Sequence, residues 1–251
     1  IIFYKLIRKN FDEKIAYWST IFLVAFPTSF YFGSVYTEGI FFLMIISTFY
    51  LFEKGRVWQA SIIGATAAAT RLVGIFLAPA LFVSKRPKSL LLLLIVPMGL
   101  AVYMLFLKIE FNNPFYFLTA QTIWGQERST TQIILLPQVF WRYLKILIST
   151  NGLPFFNASF ELVVTVFALF VLFIGRKLIK IEWMIFSILA ILTPTLTGTL
   201  ASMPRYILVA FPIFIILAHI KNIYLKVSIV LIFLILLTLS TLLFTRGYWV
   251  A

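Results

Sequence analysis

Trp58-Gln59-Ala60-Ser61-Ile62-Ile63-Gly64-Ala65-Thr66-Ala67-Ala68-Ala69-Thr70-Arg71-Leu72-Val73-Gly74-Ile75-Phe76-Leu77-Ala78-Pro79-Ala80-Leu81-Phe82-Val83 is an apolar run broken once by a charge, at Arg71. Basic residues flank both of its ends: Lys54 and Arg56 before it, Lys85, Arg86 and Lys88 after it. Short loops rich in Lys and Arg stay on the cytoplasmic side of a membrane, so both ends belong on one side. A single crossing cannot satisfy that. Split at Arg71, each arm has about 12 residues and is roughly 18 Å long as a helix, short of the roughly 20 residues a crossing needs. The stretch predicts a short helical hairpin that enters and leaves by the same face, with Arg71 at its tip. The small residues Gly64 to Ala69 in its first arm let helix backbones approach closely in lipid.

Working outward, the same apolar character runs through the chain. Of 251 residues, 62% are hydrophobic and 12% charged. A soluble domain has about a quarter charged residues, so the composition excludes a soluble enzyme or binding module, and it is too apolar for a disordered chain. There is no cysteine and one histidine, which removes disulfide frameworks, thiol catalysis and His-based metal centres. Full spans are predicted at Ile15–Phe32, Tyr36–Phe52, Leu90–Leu107, Phe160–Ile174, Trp183–Leu200, Tyr206–Ile220 and Val227–Phe244. The predicted fold class is all-α: a polytopic transmembrane bundle of about seven full spans plus the hairpin, in a single transmembrane domain over residues 1–251.

The net charge of +13 serves this topology rather than a nucleic acid. Lys5, Arg8, Lys9, Lys14, the clusters at 54–56 and 85–88, Arg176, Lys177, Lys180, Lys221 and Lys226 hold 14 of the 21 lysines and arginines, all assigned to the cytoplasmic face. The outer face receives Glu38, Arg71, Lys108, Glu110, Glu127, Arg128, Arg142, Lys145, Glu161, Arg205 and Arg246. The outer segment 108–159 holds an amphipathic helix that Pro137 opens. Gln138, Arg142 and Lys145 share one face, and Val139, Phe140, Tyr143 and Leu147 face away. It reads as an interfacial anchor or as a ledge for a lipid substrate.

The outer-face charges are the candidate site residues. Arg71 sits where a charge costs about 2.5–3.5 kcal/mol on insertion scales. It either binds a phosphate through its planar fork or pairs with Glu38. Glu38 is a carboxylate at a helix start that could hold Arg71 or contact a substrate hydroxyl. Arg205 and Tyr206, in Met203-Pro204-Arg205-Tyr206, stand where an outer loop turns into a span; Arg205 either snorkels to headgroups or joins a phosphate site. Gln121 and Trp124 could contact a sugar, or Trp124 could be an interfacial anchor. His219 has no assigned role. No P-loop, dinucleotide fingerprint or metal-ligand cluster is present, so no cofactor is expected.

These stretches together resemble a known family. Phe26-Pro27-Thr28-Ser29-Phe30-Tyr31-Phe32-Gly33-Ser34-Val35-Tyr36-Thr37-Glu38 resembles the proline–aromatic–Tyr-x-Glu stretch of PIG-V-like mannosyltransferases. Ala67-Ala68-Ala69-Thr70-Arg71-Leu72-Val73-Gly74 is similar to their Ala-rich Thr-Arg-x-x-Gly segment, and Asn113-Pro114-Phe115-Tyr116-Phe117 through Gln121 and Trp124 to their outer segment. Met203-Pro204-Arg205-Tyr206 with Phe211-Pro212 resembles their Pro-Arg-Tyr motif, and Gly247-Tyr248-Trp249-Val250-Ala251 their ending. The resemblance implies a GT-C membrane glycosyltransferase. Such an enzyme moves mannose or a similar sugar from a polyprenyl-phosphate donor to a glycolipid or glycan acceptor on the outer face, with inversion. Its location would be the plasma membrane of a bacterium or the endoplasmic reticulum of a eukaryote. The family's catalytic acid lies in a first outer loop that has no counterpart here, and Asp12, the single aspartate, falls among the cytoplasmic basic residues. The chain, which starts at Ile1, therefore reads as a fragment whose catalytic acid lies upstream, inactive as it stands. The competing reading is a transporter or lipid flippase, since broken helices and an intramembrane Arg suit transport as well. A non-catalytic scaffold is a third.

Overall fold

The computed structural model describes residues 1–84, 93–120, 128–129 and 132–250. Among these residues the fold is all-helical, without strands. The N-terminal basic segment forms a helix, α1 (Ile2–Asn10), which buries Phe3, Leu6 and Ile7 and leaves Arg8 and Lys9 outside. Asp12 caps the next helix, α2 (Glu13–Ala25), accepting a hydrogen bond from the Ile15 amide at 2.7 Å. That is an N-cap role, consistent with giving Asp12 no catalytic one. The predicted span Ile15–Phe32 stops at Ala25. Pro27 forces Phe26 out of the helical region, to φ −57° and ψ 140°, and only a 3₁₀ turn, Ser29–Phe32, follows.

Helices α3 (Glu38–Glu53) and α4 (Val57–Thr70) run antiparallel, with the Thr70 hydroxyl 3.8 Å from the Met44 sulfur. At Arg71 the backbone turns extended, φ −147° and ψ 139°, and continues through a 3₁₀ turn (Leu72–Phe76) into α5 (Leu77–Phe82). The chain reverses there. A Cβ on Gly74 would lie 2.6 Å from the Ala67 backbone, and one on Gly64 3.7 Å from the Leu77 side chain. The first turns after Arg71 therefore fold back beside α4. Helix α6 (Ile95–Phe111) crosses α4 so closely that a Cβ on Gly99 would fall 1.7 Å from the Ala65 carbonyl oxygen. Small residues on both helices make that crossing possible.

A short turn of helix, α7 (Tyr116–Thr119), precedes the amphipathic helix α8 (Leu136–Ser149), which has Pro137 in its first turn as expected. Its inward residues Val139 and Tyr143 are buried against protein, while Trp141, Leu144 and Ile148 form a second, exposed apolar stripe. The sequence reading placed only one apolar face on this helix. Then come α9 (Leu153–Gly175) and α10 (Ile181–Thr195).

The predicted span Tyr206–Ile220 is not one helix. It is α11 (Met203–Ile207) and α12 (Pro212–Ala218), joined by i→i+3 turns where Pro212 supplies no amide proton. This broken segment is the centre of the molecule: every residue from Ile207 to Ala218 is buried. Phe211 touches Phe3, Phe49 and Trp183, and Phe214 touches Phe26. Helix α13 (Ile223–Thr245) closes the chain on the outside.

Among the described helices, α9 and α13, 23 residues each, are long and apolar enough to cross a membrane. Helices α2, α3, α6 and α10, at 13, 16, 17 and 15 residues, fall short of the roughly 20 expected of a full span. The cluster at 85–88 lies outside the described residues; among the described residues the basic clusters gather at one end. Glu53, at the end of α3, accepts from Asn10 at 2.8 Å and from Lys180 at 2.7 Å, and Lys226 lies over the Trp18 ring at 5.2 Å. Glu38 starts that same helix α3, so the two carboxylates stand about 22 Å apart along its axis.

Candidate functional site

At the end of the molecule away from the basic clusters, three segments remote in sequence deliver charges to one place. Glu38 is the first residue of α3, Arg71 follows the last residue of α4, and Arg205 and Tyr206 lie in the single turn of α11. Ser202, at φ 68°, turns the chain sharply into that helix, and Pro204 sits in its first turn. The Thr28 hydroxyl donates to the Pro204 carbonyl at 2.7 Å, which ties the loop to the segment after α2.

Glu38 is only 2% exposed, and its Oε1 serves both arginines: Arg71 through Nη1, and Arg205 through Nε at 3.2 Å. Its Oε2 has no hydrogen-bond partner among the described residues. One carboxylate between two guanidinium groups leaves a positive balance, and aromatic faces take up the rest. Arg71 lies over the rings of Phe41 at 5.6 Å and Tyr206 at 5.4 Å. Arg205 is boxed by Tyr31, Tyr36, Tyr206 and Trp249, at 5.4–5.7 Å. The C-terminal segment is part of this box, because Tyr31 donates to the Val250 carbonyl at 3.0 Å and Asn157 to that of Trp249 at 3.1 Å.

Beside the cluster lies a cavity of about 380 Å³. Its polar wall is Thr70, Arg71, Tyr103, Arg128, Thr193, Thr197 and Tyr206, and the remainder, including Leu72, Val73, Leu100 and Phe117, is apolar. Arg71 thus does two things at once. It pairs with Glu38, as one sequence reading held, and it faces a cavity, as the other required. Tyr206 lines the same cavity. Glu38 and Arg205 are not among its lining residues and stand behind Arg71 as its support. Gln121 and Trp124 lie outside the described residues.

No family model, curated protein or solved structure matches this chain.

Two residues that sequence reasoning placed on this face, but gave no role, belong to the arrangement. Arg128 donates to the Ala201 carbonyl at 2.6 Å, and its guanidinium lies 5.6 Å over Tyr206. Glu161, on α9, accepts from the Tyr143 hydroxyl at 2.5 Å and from the Ser202 amide at 3.4 Å. The same tyrosine oxygen accepts from the Leu200 amide at 3.0 Å and lies 3.2 Å from Thr199 Oγ1. Burial, and then the Glu161 charge, push the Tyr143 hydroxyl far above the ordinary phenol range, so it stays a proton donor. This network clamps the 199–202 loop, which carries the Pro-Arg-Tyr turn, to α8 and α9. The signal for Glu161 was present: an ionisable residue in an apolar run, judged by the same rule that singled out Arg71.

Proposed function

We propose that this chain is the membrane-embedded body of a glycosyltransferase that takes a sugar from a polyprenyl-phosphate donor and passes it to a lipid or glycan acceptor. The observation that supports this reading is the cavity in which Arg71 and Arg128 share one chamber with polar hydroxyls and a larger apolar wall. A donor of that class has a phosphate at one end and a hydrocarbon chain at the other, and the wall chemistry is divided in the same way. The volume lies in the range of about 300–1,000 Å³ common for small-molecule sites. The order of the Tyr-x-Glu, Thr-Arg-x-x-Gly and Pro-Arg-Tyr motifs supports it too, since all three meet at the ion cluster.

In this mechanism the acceptor hydroxyl attacks the anomeric carbon and the lipid phosphate leaves. Negative charge grows on the phosphate oxygens, and Arg71 stabilises it from a position that Glu38 fixes in advance. Arg205, paired to the same oxygen, holds Glu38 in place. The deprotonating carboxylate is not among the described residues lining the cavity. In the membrane, α9 and α13 cross fully; the shorter helices α2, α3, α6 and α10, with their flanking turns, and the broken segment α11–α12 complete a bundle of about seven spans, and the α4–α5 hairpin enters from the cytoplasmic face.

The test is donor binding to the chain in lipid nanodiscs, with a polyprenyl-phosphate sugar as ligand. Arg71→Gln removes charge-assisted hydrogen bonds worth about 1.5–3 kcal/mol, so affinity should fall about 10- to 100-fold. Unchanged affinity would sink the reading. The break in the helix at Arg71, on the cavity wall, is also what a lipid transporter would use. Passage of a fluorescent polyprenyl phosphate across liposomes holding the chain, without sugar transfer, would favour that alternative.

A further inference from the structure

A second recess, of about 250 Å³, lies between α8 and the loop after α10, lined by Ile134, Gln138, Trp141, Arg142, Lys145 and Gly198. The residues of α8 at i, i+4 and i+7, Gln138, Arg142 and Lys145, all face it. Around the helix this polar stripe falls between the buried stripe, Val139 and Tyr143, and the exposed apolar stripe of Trp141 (60% exposed), Leu144 (46%) and Ile148 (87%). The Arg142 guanidinium donates to the Gly198 carbonyl at 3.4 Å, and Lys145 Nζ lies 5.5 Å over the Trp141 ring. The far wall is held firmly, because the Thr197 carbonyl accepts from the Ser129 amide at 2.8 Å and that of Leu196 from the Ile134 amide at 2.9 Å. Thr197 lines the large cavity and its neighbour Gly198 lines this recess. One loop separates the two.

We infer that this recess is a headgroup site for an anionic phospholipid, with the lipid phosphate between Arg142 and Lys145 and the acyl chains along Trp141, Leu144 and Ile148. A cationic stripe bordered by an exposed apolar stripe matches that ligand in charge and in shape: the basic side chains attract the phosphate, and the aromatic and aliphatic side chains sit at the acyl boundary. The inference rests on the membrane placement proposed above. It makes the recess a second lipid position, next to the donor cavity and across a single loop from it.

The experiment uses the full chain in nanodiscs of neutral phosphatidylcholine doped with brominated-tail phosphatidylglycerol or, in parallel, brominated-tail phosphatidylcholine. The readout is quenching of Trp141 fluorescence, isolated by subtracting the Trp141→Phe variant. Preferential quenching by the anionic lipid is expected. Lys145 is exposed, so Lys145→Gln leaves the fold intact, and it should cut the preference about fivefold. Adding Arg142→Gln should abolish it. Equal quenching by both lipids in the unmodified chain overturns the inference. Loss of the preference on adding millimolar inorganic phosphate would show that the recess takes free phosphate and would overturn the lipid assignment; persistence supports it. Arg71→Gln should leave this preference intact while weakening donor binding, so the two readings fail separately.

Discussion

At the scale of single residues, Glu38 has the largest consequences. It is buried, it balances two guanidinium groups through one oxygen, and its second oxygen is unpartnered among the described residues. Replacing it by glutamine keeps the shape and removes the charge, so Arg71 and Arg205 would face each other uncompensated. Breaking a buried pair in this way costs about 3–5 kcal/mol. The loss should fall at the low end of that range, because Arg71 and Arg205 keep 17% and 12% of their side-chain surface exposed. Thermal unfolding in detergent checks it: Glu38→Gln should melt well below the parent chain, and Glu38→Asp should lie between. A parent-like melting point for Glu38→Gln would mean that the arginines find other partners. The Arg71–Glu38 pair was legible in the sequence, since both residues were costly charges assigned to one face. Arg205 as a second partner of the same oxygen was not, because 167 positions separate it from Glu38 and nothing local marks the approach.

At the scale of elements, the crossing of α4 and α6 depends on an absent side chain. Gly99→Val would drive methyl groups into the Ala65 carbonyl, where even a Cβ has no room, and overpacking of this kind costs about 1–3 kcal/mol or more. Gly55 is the contrast: a Cβ there meets nothing within 4 Å, so Gly55→Ala bears only the strain of a positive φ, about 1–2 kcal/mol. Comparing the two melting points checks the crossing, and equal shifts would argue that α6 yields. The break at Arg71 was readable from sequence, because a charge there interrupts an apolar run too short on either side to span alone. The break within 206–220 was not read because the segment's composition is almost purely apolar; only Pro212 hinted at it, and hydropathy cannot distinguish a buried irregular segment from a continuous helix. The inward turn of Val139 and Tyr143 was half read: the helix and its face were found, but not Glu161, which that face meets.

At the scale of the whole molecule, charge separates along one axis, with the Asn10, Glu53, Lys180 and Lys226 contacts at one end and the Glu38 cluster at the other. The chain contains no cysteine, so single introduced cysteines report sidedness cleanly. Cysteines at Arg56, Ser84 and Lys177 should be labelled from one face of an oriented vesicle, and those at Val35 and Lys145 from the other. Labelling of Arg56 and Ser84 from opposite faces would convert the hairpin into a crossing. The buried centre carries a further consequence. Residues 207–218 follow in the chain nearly all of the helices they pack against, from Phe3 in α1 to Trp183 in α10. Until then Phe3, Phe49 and Trp183 have only their partners Phe42, Phe186 and Phe11, and the shared contact with Phe211 is missing. The core is therefore completed late in synthesis, and a chain stopped short of Ile207 should be recognised and degraded as incomplete.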